Sequence, residues 1–123
     1  MKHRIALVED NPDNRLLVHA ILEERYDIDE YETGAEALVG ISGNPPDLVL
    51  LDISLPEMDG TEVLARLRKE GFDRLPIIAL TAHAMSGDRE RYLSAGFDDY
   101  VTKPIVDEDL LIGAIERWLN QSG

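Results

Sequence analysis

The sequence predicts an α/β protein: one five-stranded parallel sheet, doubly wound, with five helices shared between its two faces. Three observations carry that reading. Ile5-Ala6-Leu7-Val8, Leu48-Val49-Leu50-Leu51 and Ile77-Ile78-Ala79-Leu80 are short unbroken apolar runs, the pattern of strands buried on both faces. Segments of helical period lie between them, each with its own start and stop residues. Strand and helix alternate along the whole chain, and that alternation demands a parallel sheet covered by helices on both sides.

Each element has a local reason. After the first strand, Asn11 can cap a helix with Pro12 in its first turn, and Leu17, Ala20 and Ile21 are expected to share its buried face. Ile28 to Tyr31 is shorter and more polar, as an edge strand should be. Thr33 and Glu36 form a capping-box pattern for a second helix, which Gly43 and Pro45-Pro46 stop. Asp59 and Glu62 repeat the pattern for a third, ended by Gly71. The fourth helix is expected from about Ser86 to Ala95, with Gly96 behind it. Asp99 to Thr102 is the second edge strand. Leu110, Leu111, Ala114, Ile115, Trp118 and Leu119 give the last helix a broad apolar face, read as core packing.

With the three apolar runs central and the two polar ones at the edges, right-handed crossovers lead to the strand order 2-1-3-4-5. That is the flavodoxin-like order, whose ligand crevice lies at the carboxyl ends of the strands, between the first and third. No linker, repeat or low-complexity run divides the chain, so residues 1–123 read as a single domain with no output domain.

Composition narrows the function. The formal net charge of -13 repels phosphate backbones and anionic lipid, which argues against direct nucleic-acid or membrane binding. The absence of cysteine excludes disulfides and thiolate metal sites. No stretch has the length of a signal peptide's apolar region or a membrane span, so a cytoplasmic location is the expectation.

Polar residues collect at one end of this sheet. The first strand runs into Glu9-Asp10, the third into Asp52, the fourth into Thr81, and the fifth is followed by Lys103-Pro104. Two like charges about 4 Å apart cost on the order of 4 kcal/mol at an effective dielectric of 20. Three carboxylates at the crevice therefore need a cation, and an all-oxygen set suits magnesium or calcium better than zinc. A partly open site suits magnesium retaining several waters. With such a cation and Lys103 supplying positive charge and Thr81 a hydrogen bond, Asp52 is placed to accept a phosphoryl group. Taken singly, each residue has an ordinary explanation: loop acids, a helix cap, a strand-end hydroxyl, a surface lysine. Five of them converging on one edge do not.

VEDN, LLDISLPEMDG, IIALTAHAM and DDYVTKP, in this order, resemble the motifs of bacterial response-regulator receiver domains over essentially the whole chain. The resemblance implies that Asp52 is phosphorylated by a histidine kinase or a histidine phosphotransfer protein. Glu9 and Asp10 would hold Mg2+, with the backbone carbonyl of Ser54 as a further ligand. Lys103 would contact the phosphoryl group, and the Lys103-Pro104 peptide would be cis. Thr81 and Tyr100 would be the switch pair, altering the face formed by the fourth helix, fifth strand and fifth helix, including Tyr92. Ser54 and His83, two residues beyond Asp52 and Thr81, would tune the lifetime of the phosphoryl group, which such a domain slowly hydrolyses by itself. The TAHAM stretch is similar to those of phosphorelay and hybrid-kinase receivers.

Competing readings remain distinct. An aspartyl phosphatase of the haloacid-dehalogenase group asks for a second aspartate where Ser54 stands. A receiver-shaped scaffold that works without phosphorylation usually lacks an acid, the threonine or the lysine, and all are present here. A flavodoxin would present a cofactor phosphate to an acidic loop. A phosphotransfer role for His19 finds no kinase-like helix around it.

Overall fold

The computed structural model describes residues 2–82, 88–103, 105 and 107–122. The elements run β1 (Arg4–Val8), α1 (Pro12–Leu22), β2 (Asp27–Tyr31), α2 (Gly34–Gly43), β3 (Leu48–Asp52), α3 (Gly60–Lys69), β4 (Ile77–Thr81), α4 (Asp88–Ala95), β5 (Asp99–Thr102) and α5 (Glu108–Ser122). All four strand pairings are parallel, in the order β2-β1-β3-β4-β5. The doubly wound, flavodoxin-like α/β fold expected from the sequence is thus the one observed. The expected start of α4 at Ser86 lies outside the described residues. Among the described residues, no helix is long and apolar enough to cross a membrane.

Side chains on a strand alternate between faces, and here each face has its own core. Ile5, Leu7, Leu48, Leu50, Ile78 and Leu80 join Val18 and Leu22 of α1 and Leu111, Ile115 and Leu119 of α5. The intervening residues Ala6, Val8, Val49, Leu51, Ile77 and Ala79 join Ala37, Ile41, Val63, Leu64, Leu67 and Tyr92 on the other side. Continuous apolar runs were the right signal because both parities are buried.

The helix caps follow the sequence signals. The Asn11 side chain accepts from the N–H groups of Asp13 (2.9 Å) and Asn14 (3.2 Å). Thr33 Oγ1 accepts from Glu36 N–H at 3.1 Å, and Glu36 answers by accepting from Glu32 N–H, one residue before the cap. Asp59 accepts from Glu62 N–H at 3.0 Å. Gly96 ends α4 at φ +117, a conformation that other residues rarely adopt.

Two helical faces differ from expectation. In α1 the buried residues are Val18 and Leu22 with Ile21 half-buried, whereas Leu17 is 40% exposed and Ala20 is exposed. Three consecutive apolar residues, Leu16 to Val18, leave the rotation of the helix open. The i, i+3, i+4 set Val18-Ile21-Leu22 wins because it reaches the sheet together. In α5 the stripe runs Leu111, Ala114, Ile115, Leu119, and Leu110, about 100° around the helix, is 66% exposed.

Candidate functional site

Strand parity sorts the polar residues before any distance is measured. Glu9 continues the series Ile5, Leu7; Asp52 continues Leu48, Leu50; Lys103 follows Val101. All three belong to the face covered by α1 and α5. Thr81 continues Ile77, Ala79 on the opposite face, where Tyr92 of α4 lies and against which Tyr100 packs. The loop after β3 is held close beneath the site. Ile53 N–H donates to Leu80 O at 3.1 Å and Gly60 N–H to Ile53 O at 2.9 Å. A Cβ on Gly60 would collide with the carbonyl oxygen of Asp52, so only glycine lets α3 begin there.

The charged group is compact. Lys103 Nζ stands 3.1 Å from Glu9 Oε1 and 3.1 Å from Asp52 Oδ2. Glu9 is wholly buried and Asp52 is 2% exposed. Burial, reinforced by the hydrogen bond to and charge of Asp52, pushes the Glu9 carboxyl up to about 7. Burial works against the charge on Lys103, but the two carboxylates outweigh it and hold the ammonium above its ordinary value. Asn11 N–H donates to Glu9 Oε2 at 3.2 Å, and Ser54 N–H donates to Asp52 Oδ1 at 3.0 Å.

One ligand atom each from Glu9, Asp10 and Asp52 lie within 4.8 Å of one another. One ammonium faces these three carboxylates, so the cluster is short of positive charge even with Glu9 partly protonated. Its donors are all oxygen, and exposed Asp10 leaves it open to water on one side. This set fits a hard divalent cation that keeps part of its hydration.

Of the residues singled out from the sequence, Glu9, Asp10, Asp52 and Lys103 come together, with the Ser54 backbone beside them and its side chain exposed. Thr81 adjoins through its backbone, its carbonyl accepting from Lys103 N–H at 2.7 Å. The Thr81 hydroxyl is instead 2.9 Å from Tyr92 Oη. Tyr100 is half-buried, its ring centroid 6.1 Å from that of Tyr92. His83 and the Lys103-Pro104 peptide lie outside the described residues. Tyr92 is not a surface residue in this arrangement, being 2% exposed. The resemblance names Tyr92 on the face that alters with Tyr100, but its contact with Thr81 was missed. Arg15 was also missed; a lone cation among the acids at the start of α1 was the available signal.

The profile of the response regulator receiver domain family matches residues 5–116. The chain is 40% identical over 120 residues to the sensor histidine kinase GacS of Pseudomonas protegens, covering 94% of this chain and 13% of that kinase. It thus spans a small part of the kinases it resembles. An uncharacterized 14.6 kDa protein of Leptolyngbya boryana is 41% identical over 117 residues, covering 93% of this chain and 88% of that protein. Among solved structures, the receiver domain of the sensor histidine kinase PA1611 from Pseudomonas aeruginosa matches with a TM-score of 0.88 at 37% identity. That match covers 98% of this chain and 99% of the other, which has a magnesium ion coordinated in its active-site cleft. The alternating strands, the acidic crevice and these relatives agree: this chain belongs to the response regulator receiver domain family of two-component signalling.

Proposed function

We propose that the chain is a phosphorylation-dependent signalling receiver whose phosphoacceptor is Asp52. The observation that supports this most is the Asp52 carboxylate itself, almost fully buried at a strand end, with Lys103 Nζ 3.1 Å from one oxygen. A phosphohistidine on a histidine kinase or histidine phosphotransfer protein is the donor. An Asp52 oxygen attacks phosphorus, the P–N bond breaks, and the electron pair leaves with the imidazole, whose proton on the other ring nitrogen leaves it neutral on the donor. The product on this chain is an acyl phosphate, hydrolysed later by water to phosphate and the free carboxylate. Glu9, Asp10 and Asp52, with the Ser54 carbonyl, are the residues that would hold Mg2+. When bound, Mg2+ supplies charge neutralisation at the phosphoryl oxygens. Lys103 offsets the same charge from the other side, and the three neighbouring acids make that offset necessary. Ser54, exposed beside the acceptor, and His83 are the candidates for setting phosphoryl lifetime.

Thr81 and Tyr100 are the proposed readout. New anionic oxygens on Asp52 draw the Thr81 hydroxyl inward, and Tyr100 follows, changing the α4-β5-α5 face for a target protein. Onward transfer of the phosphoryl group to a histidine is the second reading. It is favoured by the relatives, several of which are histidine kinases that contain a matching stretch.

The test is intact mass after incubation with Mg2+ and acetyl phosphate, beside Asp52→Asn. One phosphoryl adduct on the wild type, absent from the variant and after prior chelation, is the expected result. If neither acetyl phosphate nor a phosphorylated kinase modifies a folded protein that binds Mg2+, the scaffold reading replaces this one.

A further inference from the structure

Asp10 has no side-chain hydrogen bond or ion pair among the described residues, yet its carboxylate stays within reach of Glu9 and Asp52. Its placement must come from its backbone. Besides the Asn11 N–H donated to Glu9 Oε2, that backbone is held at its carbonyls by one side chain. Arg15 Nη1 donates to Glu9 O at 2.9 Å and to Asp10 O at 3.3 Å, spanning the two carbonyls of the acidic pair. The guanidinium is itself fixed from the far side. Its Nη2 lies 3.3 Å from Glu32 Oε1 and its Nε 3.4 Å from Glu30 Oε1, and the side chain is 15% exposed. Glu30 in turn lies 2.8 Å from His19 Nδ1. Arg15 therefore ties the loop after β1 to the end of β2 with a planar fork, a geometry that lysine does not reproduce.

We propose that Arg15 is a positioning residue for divalent-cation binding: it orients the Glu9-Asp10 backbone and so aims the Asp10 carboxylate. The inference rests on the receiver reading, which supplies the cation. It has a distinctive sign. A cation next to an anionic site weakens Mg2+ binding by repulsion, so charge alone makes loss of Arg15 tighten binding. Positioning makes the same loss weaken it. A side chain that only fastens α1 to β2 would change thermal stability and leave Mg2+ affinity where it was.

The experiment is calorimetric titration of MgCl2 into wild type, Arg15→Gln and Arg15→Lys, with circular dichroism in chelator to verify folding. Outer residues that orient metal ligands typically contribute about 10- to 100-fold in affinity. Arg15→Gln is expected to raise the Mg2+ Kd about tenfold, and Arg15→Lys by a smaller factor. The Mg2+ concentration for half-maximal phosphorylation by acetyl phosphate should rise in step, while the rate at saturating Mg2+ falls much less. A Kd for Arg15→Gln equal to or tighter than wild type overturns the proposal. Should that variant not fold, Arg15→Lys decides: a weaker Kd supports positioning and a wild-type Kd overturns it. If the wild type itself binds no Mg2+, the receiver reading fails first; normal wild-type binding with unaltered variants removes Arg15 alone.

Discussion

The two faces of the sheet reach its carboxyl end with different chemistry. From the side covered by α1 and α5 come Glu9, Asp52 and Lys103, three ionisable groups linked by 3.1 Å contacts. From the side covered by α2, α3 and α4 come Thr81, Tyr92 and Tyr100, where a hydroxyl pair at 2.9 Å sits among aromatic rings. One group stores charge that must be neutralised. The other pairs two neutral hydroxyls, with the Arg91 guanidinium donating to Tyr92 Oη at 3.1 Å. Under the proposed receiver reading, the contrast separates where a charge would arrive from where its arrival would be felt, and each half offers its own side chains to perturb.

Lys103 gives the largest expected effect. Removing one partner of a buried ion pair typically costs about 3–5 kcal/mol. Glu9 can take up a proton, and that limits the loss. Lys103→Ala should therefore destabilise the metal-free protein more at pH 8 than at pH 5, as read by urea denaturation. Phosphorylation by acetyl phosphate should slow by about 10²–10³-fold, the usual scale for losing one electrostatic stabiliser. An unaltered rate would remove Lys103 from the chemistry and leave it a structural counter-ion.

Glu9 gives the next. Its folded value of about 7 lies above the ordinary 4.5, so the native state binds more protons than the unfolded chain between those values. Stability of the metal-free protein must then be greatest below about pH 4.5, as far as this group is concerned, and must fall as pH rises toward 7. Each unit of separation is worth about 1.4 kcal/mol, so the decline is a few kcal/mol. Glu9→Gln should flatten it, while Thr81→Ala on the opposite face should not. A slope that survives Glu9→Gln would mean that the charged half is not where the protons are held.

Much of this contrast was legible beforehand, and its limits have physical causes. Apolar runs in both parities announced the central strands, and polar residues at their carboxyl ends announced Glu9, Asp10, Asp52, Thr81 and Lys103. The rotation of α1 was not legible, because Leu16, Leu17 and Val18 offer equivalent apolar faces until the sheet selects one. Nor was the burial of Tyr92 against Thr81, since a tyrosine on a short polar helix reads equally well as surface or core. Arg15 stands out in the chain only as a lone cation among acids; that it reaches the Glu9 and Asp10 carbonyls while paired with Glu30 and Glu32 follows from packing. Strand ends are written in the chain; what leans against them comes from packing.

Tyr92 supplies the smallest effect and the finest division between the halves. Its hydroxyl lies 2.9 Å from Thr81 Oγ1 and accepts from Arg91 Nη2 at 3.1 Å, while its ring packs edge-on against Phe97. Tyr92→Phe keeps the ring and deletes the hydroxyl; the buried bond to Thr81 is worth about 1 kcal/mol, and the bond from exposed Arg91 adds less. If Thr81 must leave Tyr92 to meet new anionic oxygens on Asp52, that bond stabilises the resting arrangement alone. A ligand can shift two states only by its differential affinity, so weakening one state makes the other easier to reach. Tyr92→Phe should therefore lose about 1 kcal/mol of resting stability and bind a phosphoryl mimic such as beryllofluoride several-fold more tightly. Mimic affinity unchanged alongside the stability loss would mean that Thr81 keeps its partner in both states, and that the hydroxyl half of the site is packing rather than readout.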